Sequence, residues 1–494
     1  MSVPSGHDSS FTVIKKYHSM SDSNVLASEK LKADPRLQQA RQLILEAVAE
    51  HQAELSTVRE PNPALAASYE ETLAAFGAIR NGNLYFPYLS SGLGNGPFVE
   101  LGDGSVKLDF ITGIGVHGYG HSHPLLVEAA IDSAIGDTVM QGNLQQNSES
   151  YDLVKLLTET ANESGAKLKH CFLSTSGAMA NENSLKLAFQ NNHPANRVIA
   201  FSHCFAGRTL ALAQVTDKAK YRVGLPDTLN VDYIPFYNED DPDRSTEIAV
   251  NHLNYLLERN PGKHAALWME LIQGEGGYYP GSTKFFKALT SVAKQHKVCV
   301  IADEVQTFCR TTRPYAFQHF ELDQDVDVVT IGKISQVCAT LFTDEYRFKP
   351  GLISQTFTSS TMAINSALAI VKGLIENGNF GPSGKNQQLH DHFVAGLKKI
   401  GDKYPGAISG PHGCGGMVAL TPLDGSAEVA AALAKRLFAA GLMSFMAGGN
   451  PSRLRFLMPL GCTETSHIDL ACEIIDKVIG EMKQDASMAG HFAT

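Results

Sequence analysis

Two charged residues that follow apolar runs are the first candidates for chemistry. Val298–Ala302 (VCVIA) and Val326–Ile331 are short, β-branched and without polar alternation, as in strands buried on both faces of a parallel sheet. Asp303 follows the first run, and Lys333 follows the second after Gly332. Because open α/β sheets bind ligands at the carboxyl ends of their strands, we expect this carboxylate and this amine at a ligand site.

One cofactor that needs both groups is pyridoxal phosphate. Its aldehyde condenses with a lysine amine, and a carboxylate keeps its pyridine nitrogen protonated so that the ring can accept electrons. Buried strands also end in Asp or Lys residues that are simply hydrogen bonded. The pair alone therefore leaves both interpretations open.

Polar residues follow other apolar runs as well. Ser174–Glu182 (STSGAMANE) opens a helix, where small residues and backbone N–H groups suit a bound anion or form an ordinary cap. Phe205 in HCFAGRT is placed either to stack on a flat ring or to fill the core. Arg208 in the same turn is a candidate carboxylate ligand or a surface ion-pair partner. A last cluster of polar residues, Glu270, Gln273 and Glu275, follows another predicted strand.

The glycine-rich run Gly113–Pro124 (GIGVHGYGHSHP) contains two patterns that we interpret as structural. Its glycines satisfy G-x-G-x-x-G, but a dinucleotide-binding fingerprint opens a helix directly, whereas here the next helix waits until Pro124. His117, His121 and His123 resemble a metal cluster, yet no helical H-x-x-x-H pair with a catalytic Glu accompanies them. We expect packed or hydrogen-bonded loop histidines and no metal site.

The elements that must position these residues alternate between strands and helices. From Pro124 to about Gly381, helix patterns separate the short apolar runs CFLST, RVIAF, ALWMEL, VCVIA and VVTI. This alternation predicts an α/β fold with a mainly parallel sheet flanked by helices on both faces. Later segments predict a smaller α+β domain, with strands near Ile408 and Met417 and a last helix that Ser466 would cap.

We therefore expect four segments along the chain. Residues 1–33 form an N-terminal arm, and residues 34–115 contribute helices and strands to the small domain. Residues 116–380 form the large domain, and residues 381–494 form the C-terminal part of the small domain, which both chain ends would build.

Composition excludes several classes of function. The 494 residues carry 41 basic and 51 acidic side chains, and the net charge of −10 disfavours nucleic acid or an anionic membrane as a partner. No stretch approaches the ~20 apolar residues of a membrane span. The eight cysteines form no C-x-x-C pair, and the N-terminus lacks the apolar core of a signal peptide. We expect a reducing, cytoplasmic location.

The order of these motifs resembles the class III, fold-type I pyridoxal phosphate aminotransferases that act on ornithine, acetylornithine, 4-aminobutyrate and the ε-amino group of lysine. LDFITGIGVHGYGHSHP resembles the D-f-x-x-G-i-x-v-x-x-x-G-H-x-H-P block of that family, and STSGAMANE resembles its N-S-G-x-E-A-N-E. FAGRT, ELIQGEGG and ADEVQT resemble F-H-G-R-T, E-P-I-Q-G-E-G-G and x-D-E-V-Q-T. TIGK, SQTFTSS and LRFLMPL follow in the family's order, over about four-fifths of the chain.

The resemblance implies a role for each cofactor residue. Lys333 would form the Schiff base and then move the proton between the substrate carbon and the cofactor, while Asp303 would hold the pyridinium nitrogen. The ring would lie between Phe205 and Val305, with Gln306 at its hydroxyl group. The phosphate would be bound by Ser176, Gly177 and Ala178, together with Thr356 of the neighbouring subunit. The last role implies a homodimer with shared active sites.

The resemblance also implies substrate contacts. Arg455 would bind the carboxylate of glutamate or 2-oxoglutarate, and Glu275 would neutralise it when an amine-bearing carbon enters instead. Arg208, with Tyr85 or Tyr88, would take the distant carboxylate of an ω-amino donor. The implied reaction moves an amino group from a lysine-, ornithine- or 4-aminobutyrate-like donor to 2-oxoglutarate with ping-pong kinetics.

Several positions depart from the family pattern. Ala206 replaces the usual His after the stacking Phe, and Leu271 replaces the usual Pro after the first Glu of E-P-I-Q-G-E. Phe308 replaces the glycine after D-E-V-Q-T, and residues 358–361 read TSST in place of G-G-N-P. We expect these changes to reshape the substrate entrance more than the cofactor site. An aminomutase, epimerase or decarboxylase using the same cofactor, or a binding protein that retained the fold, are the alternatives.

Overall fold

The computed structural model describes residues 25–140, 142–485 and 491, which fall into two units, Met1–Glu50 and His51–Thr494. Most of the predicted arm, residues 1–24, lies outside the described residues. The described part of the first unit is helical and contains α1 (Ala27–Lys32) and nearly all of α2 (Pro35–Gln52). Asp34 accepts a hydrogen bond from the backbone N–H of Arg36 at 2.9 Å, as a residue before a helix with proline at its first position commonly does.

The second unit begins with a helix and an antiparallel sheet. Asn62 caps the first helix by accepting a hydrogen bond from the N–H of Ala64, and the helix ends at Asn81 in a left-handed conformation. The first three strands of this unit pair antiparallel. The elements are α3 (Pro63–Arg80), β1 (Ser90–Asn95), β2 (Phe98–Leu101), β3 (Val106–Asp109), α4 (Thr112–Gly115), α5 (Pro124–Ala134), β4 (Val139–Met140) and α6 (Ser148–Asn162).

The central elements alternate between strands and helices, as the apolar runs predicted. They are β5 (Leu168–Ser174), α7 (Gly177–Asn191), β6 (Arg197–Phe201), α8 (Leu212–Val215), β7 (Asn230–Ile234), α9 (Pro242–Arg259), β8 (His264–Glu270), β9 (Ile272–Gln273), β10 (Tyr279–Pro280), α10 (Thr283–Gln295), β11 (Cys299–Glu304), α11 (Ala316–His319), β12 (Val328–Ile331), β13 (Cys338–Thr343), β14 (Ser359–Ser360) and α12 (Thr361–Glu376).

The C-terminal elements form a smaller α+β group. They are α13 (Lys385–Lys403), β15 (Ile408–Cys414), β16 (Met417–Pro422), α14 (Ala427–Ala439), β17 (Leu442–Met443), β18 (Phe445–Gly448), β19 (Ser452–Leu457) and α15 (Thr465–Gln484). The predicted cap of the last helix was wrong, because Ser466 lies inside α15 and Glu464 occupies the cap position. The side chain of Glu464 accepts from the N–H of the third helical residue, so a carboxylate takes the role expected of a serine hydroxyl.

A seven-stranded sheet in the order β5-β13-β12-β11-β8-β6-β7 confirms the α/β class. β13 runs antiparallel to both of its neighbours, and the other adjacent strands are parallel. Every residue of β8, β11 and β12 is buried, which explains why these segments read as continuous apolar runs. The sheet is therefore mainly parallel, with a single antiparallel strand.

Strand register fixes what lies at the carboxyl edge of this sheet. Asp303 pairs with Glu270 of β8 on one side and with Thr330 of β12 on the other. Ile331 ends β12, so Lys333 follows two residues beyond the edge. Parallel strands end on the same side of a sheet, and the register therefore gathers a lysine and two carboxylates at one edge.

Two four-stranded sheets and two two-stranded ones, β9 with β10 and β4 with β14, accompany this sheet. The order β15-β16-β19-β18 places Arg455 in β19 opposite Phe445 of β18. The order β1-β2-β3-β17 pairs β3 in parallel with β17, a strand more than three hundred residues later. This pairing is what a small domain made from both chain ends requires, although our four-segment division stays a prediction. Within residues 25–140, 142–485 and 491, no helix has the length and apolar content needed to cross a bilayer.

Candidate cofactor and substrate site

Asp303 is held by two donors at the end of β11. Its Oδ2 accepts from Nδ2 of Asn181 at 2.8 Å, and its Oδ1 accepts from the N–H of Val305 at 2.9 Å, with the Thr330 hydroxyl 3.5 Å away. Burial raises the pKa of Asp303 to about 6, although these donors and Lys333 oppose the rise. A buried carboxylate with this pKa would be favoured in its ionised form by a cation placed beside it.

Lys333 lies beyond the end of β12 in a left-handed backbone conformation, with φ of 52°. Non-glycine residues adopt this conformation rarely, and such strain is concentrated at functional sites. Burial, and next to it the charge of Arg455, lowers the pKa of Lys333 to about 8. Its amine has no carboxylate within ion-pair distance in the part of the chain that the structure describes. The side chain is thus an amine that loses its proton more readily than an ordinary lysine and is available to a ligand.

Glu270 anchors the loop that carries Phe205. Its Oε2 accepts from the N–H of Phe205 at 2.8 Å, and its Oε1 accepts from the N–H of Gly274 at 3.0 Å. Burial, reinforced by the neighbouring charge of Asp303, raises the pKa of Glu270 to about 8. The aromatic ring of Phe205 is therefore positioned by a residue of the central sheet.

The amino end of α7 faces the same edge. Ser176 caps this helix by accepting a hydrogen bond from Met179 N–H at 3.2 Å, which leaves the N–H groups of Gly177 and Ala178 without an intrahelical acceptor. A Cβ at Gly177 would lie 2.8 Å from Cγ1 of Val305, and a Cβ at Gly332 would lie 3.2 Å from the same atom. The two glycines allow their backbone to approach Val305 from two sides.

Arg455 and Glu275 form a buried ion pair next to these residues. Nη2 of Arg455 lies 2.6 Å from Oε1 of Glu275, and Nη1 donates to the carbonyl of Gly274 at 3.2 Å. Nη1 also lies 3.5 Å from Oε1 of Gln306. Burial disfavours the charge on Arg455, but Glu275 and Tyr278 together more than offset it and the pKa of the guanidinium is raised. Burial would raise the pKa of Glu275, but Arg455, with smaller contributions from Lys218 and Lys333, outweighs burial and lowers it.

These residues fit pyridoxal phosphate. The N–H groups at the start of α7 suit a phosphate, and Gly177 and Gly332 let the backbone pack closely against Val305. Asp303 offers acceptor oxygens for a protonated ring nitrogen, and Lys333 offers an amine with a lowered pKa. Pyridoxal phosphate would supply an electron sink and a carrier for an amino group, and these side chains would hold the cofactor.

The remaining predicted site residues are Arg208, Tyr85, Tyr88 and Thr356. Arg208 is exposed, and its guanidinium lies 4.4 Å from the ring centre of Tyr221. Tyr85 packs against Phe445, at 4.9 Å between ring centres, and its binding of a substrate carboxylate together with Arg208 stays a prediction. Tyr88 is half-buried, and Thr356 is exposed. An exposed threonine is compatible with a role in a neighbouring subunit's site, which stays a prediction.

The loop histidines have structural partners. Nε2 of His121 lies 2.9 Å from Oδ2 of the buried Asp109, and His123 caps α5 by accepting from the N–H of Leu125. The ring of His117 lies beside that of His121, with 4.6 Å between ring centres. Across the described residues no group of three or more histidine, cysteine or acidic side chains is arranged to hold a metal ion. The hydrogen-bonded interpretation of His121 and His123 is confirmed.

Two residues with consequences for the site were missed from the sequence. Asn181, inside STSGAMANE, orients Asp303; its polar side chain on the buried face of α7 was the available signal. Arg310, inside FCRTTR, is fully buried and donates to the carbonyl of Gly115 at 2.7 Å. Phe308 is also fully buried, against Tyr315 at 4.9 Å, so it fills the core and does not line an entrance.

Comparison with known proteins gives one family. The family described as aminotransferase class-III matches residues 85–479. The acetylornithine aminotransferase of Caldanaerobacter subterraneus subsp. tengcongensis is 28% identical over 403 residues, which cover 79% of this chain and 94% of that protein.

Solved structures agree with the fold. The lysine aminotransferase of M. tuberculosis superposes with a TM-score of 0.74 at 22% identity, covering 83% of this chain and 99% of that one. The ornithine aminotransferase of Toxoplasma gondii ME49 gives a TM-score of 0.73 at 22% identity, covering 84% and 96%. At this level of identity the likeness establishes the fold, and substrate choice has to be argued from the site.

Proposed function

Because the chain belongs to the class-III aminotransferases, which are fold-type I enzymes that use pyridoxal phosphate, we propose that it transfers the amino group of an ω-amino donor to 2-oxoglutarate. A transaminase takes an amino donor and a 2-oxo acid, and the proposal concerns their identity. The donor would resemble lysine, ornithine or 4-aminobutyrate. The two half-reactions would alternate in a ping-pong sequence because the amino group is stored between them.

The ion pair between Arg455 and Glu275 carries the proposal. At 2.6 Å the pair is neutral as a whole, so an amine-bearing carbon without a carboxylate can lie beside it. If Glu275 turns away, the guanidinium becomes a site for the carboxylate of a 2-oxo acid. Nε of Arg455 has no hydrogen-bond partner among the described residues, so its N–H can donate a hydrogen bond to a substrate. One site can therefore serve two chemically different substrates.

The remaining residues have defined tasks in this proposal. Lys333 would hold the cofactor and then carry a proton to and from the substrate carbon, and its lowered pKa suits a base at neutral pH. Asp303 would keep the ring nitrogen protonated, and Phe205 and Val305 would enclose the ring. Gln306 would contact the ring hydroxyl, and Arg208 would receive the donor's distant carboxylate.

The test separates the two half-reactions. Candidate amines are added singly to the enzyme and the visible spectrum is followed; 2-oxo acids are then added to the aminated form. We expect reaction with at least one ω-amino donor and with 2-oxoglutarate. Glu275→Gln should weaken the amine half-reaction, and Arg455→Met should weaken the 2-oxoglutarate half-reaction about 10- to 100-fold, the size of a lost hydrogen bond to a charged group. Repeated turnover of the donor without any external 2-oxo acid would contradict the proposal.

We also propose a homodimer with shared sites and a cytoplasmic location. The exposed Thr356 is compatible with the first, because its side chain is open to contact with a partner subunit. The eight cysteines are all free, which is compatible with a reducing compartment. Light scattering combined with an activity assay tests the dimer, since a fully active monomer at high dilution would contradict it.

A further inference from the structure

Glu275 contacts a second cation besides Arg455. Its Oε1 lies 2.6 Å from Nη2 of Arg455, and its Oε2 lies 3.6 Å from Nζ of Lys218. The lysine and the glutamate side chains are about equally shielded, with 20% and 18% of their surface exposed. The carboxylate therefore bridges a fully buried guanidinium and a partly buried ammonium group.

The loop that carries Lys218 is fastened in place. Oδ2 of Asp217 accepts from the N–H of His203 at 2.8 Å, and the N–H of Asp217 donates to the carbonyl of Cys204 at 3.0 Å. The hydroxyl of Thr216 accepts from the N–H of Ala206 at 3.0 Å. These bonds tie the loop to the turn that presents the predicted ring-stacking residue, so the ammonium group is directed at Glu275 by the fold.

Space for movement adjoins the glutamate on the lysine's side. A cavity of about 300 Å³ is lined by Glu275, Lys218 and Lys220 and, where its wall is backbone, by Gly276, Gly448 and Gly449. The backbone of Glu275 is fixed, because its carbonyl accepts from the N–H of Gly448 at 2.8 Å. The Glu275 side chain therefore adjoins open space on the side where Lys218 lies.

We propose that Lys218 is a positioning residue that receives the Glu275 carboxylate when the carboxylate of a 2-oxo acid replaces it at Arg455. A buried carboxylate that loses its only partner is strongly destabilised, so release of Arg455 needs a second cation within reach. Lys218 supplies that cation at the oxygen that Arg455 does not hold. This inference rests on the proposed function, and it assigns to Lys218 the selective support of the second half-reaction.

The test compares Lys218→Met with Lys218→Arg and Lys220→Met in the holoenzyme. Binding of glutarate, a dicarboxylate that cannot react, is measured by calorimetry. The Michaelis constant for the acceptor, 2-oxoglutarate, and the rate with whichever of lysine, ornithine and 4-aminobutyrate the wild type accepts are measured separately. Lys218→Met should raise the Kd for glutarate and the Michaelis constant for the acceptor about three- to tenfold and leave the amine half-reaction unchanged, and Lys218→Arg should restore both constants.

Lys220→Met is the matched control, because it removes an equal charge from the same cavity without an ion pair to Glu275. If Lys218→Met and Lys220→Met weakened the binding of glutarate and 2-oxoglutarate equally, the effect would be a general one of positive charge, and the role of Lys218 would be overturned. Unchanged constants in Lys218→Met, or equal losses in both half-reactions, would overturn it as well. A wild type that neither binds glutarate nor reacts with 2-oxoglutarate would instead refute the proposed function itself, and the role of Lys218 with it.

Discussion

The side-chain amide of Asn181 fixes the carboxylate of Asp303. One N–H of the amide donates to Oδ2 of Asp303 at 2.8 Å, and Nδ2 also donates to the carbonyl of Ala206 at 2.7 Å. The amide oxygen accepts from the hydroxyl of Thr330 at 2.7 Å. Because every polar atom of the amide is engaged, Asp303 has one orientation, and α7 and β11 hold it jointly.

Replacement of Asp303 by Asn should impair transamination severely. An amide of nearly the same shape cannot stabilise a protonated ring nitrogen, so the ring loses its capacity to accept electrons. We expect the rate of the amine half-reaction to fall about 10²- to 10³-fold, the range for loss of one group that stabilises developing charge. Rapid mixing with the amine donor measures this rate.

Asp327→Asn is the matched control for that substitution. Asp327 precedes β12 at the opposite edge of the sheet, accepts from the N–H of Val300 at 2.8 Å, and its pKa is raised by burial to about 6 like that of Asp303. Asp327 is thus a carboxylate with a similarly raised pKa, but it lies away from the site. A comparable loss of rate in both variants would show that Asp303 acts through the fold and not on the cofactor.

The lowered pKa of Lys333 predicts the pH dependence of cofactor uptake by the apoenzyme. Only the neutral amine attacks an aldehyde, and a pKa near 8 means that the proton is lost well below the usual 10.5. The uptake rate should therefore rise as pH increases to about 8 and then level off. Stopped-flow absorbance measures it. A rate that still rises tenfold per unit between pH 8 and pH 10 would be inconsistent with this environment.

Gly177→Ala should weaken cofactor retention. The new methyl group would lie 2.8 Å from Cγ1 of Val305 and push this side chain towards the space for the ring. Overpacking of this kind costs about 1–3 kcal/mol, so the Kd for pyridoxal phosphate should rise about 5- to 100-fold. Equilibrium dialysis measures the Kd. Gly136→Ala is the control, since a Cβ there meets nothing within 4 Å and the Kd should not change.

The sequence predicted the central sheet because its strands are buried on both faces. β8, β11 and β12 are continuous apolar runs, and the charged residues that end or follow them were visible for that reason. Asp303 and Lys333 could be proposed as a pair because parallel strands end at the same edge. The order of motifs then supplied the remaining cofactor residues.

Contacts between distant loops could not be predicted in the same way. Lys218 reaches Glu275 across 57 residues of sequence, and nothing in the spacing of either residue indicates the contact. Phe308 was expected to reshape the substrate entrance, but its burial depends on packing against Tyr315, which only the folded chain shows. The prediction of the residue that caps α15 was wrong for a local reason. Glu464 and Ser466 are both able to cap a helix, and α15 begins between them.

The most direct test of the central claim is the identity of the lysine that binds the cofactor. The enzyme is incubated with pyridoxal phosphate, reduced with borohydride, digested and analysed by mass spectrometry. The structure predicts that the pyridoxyl group is found on the peptide containing Lys333, and that Lys333→Ala yields no labelled peptide and no visible absorbance from a bound imine. A label on another lysine in the wild type, or stable labelling of Lys333→Ala, would contradict the account.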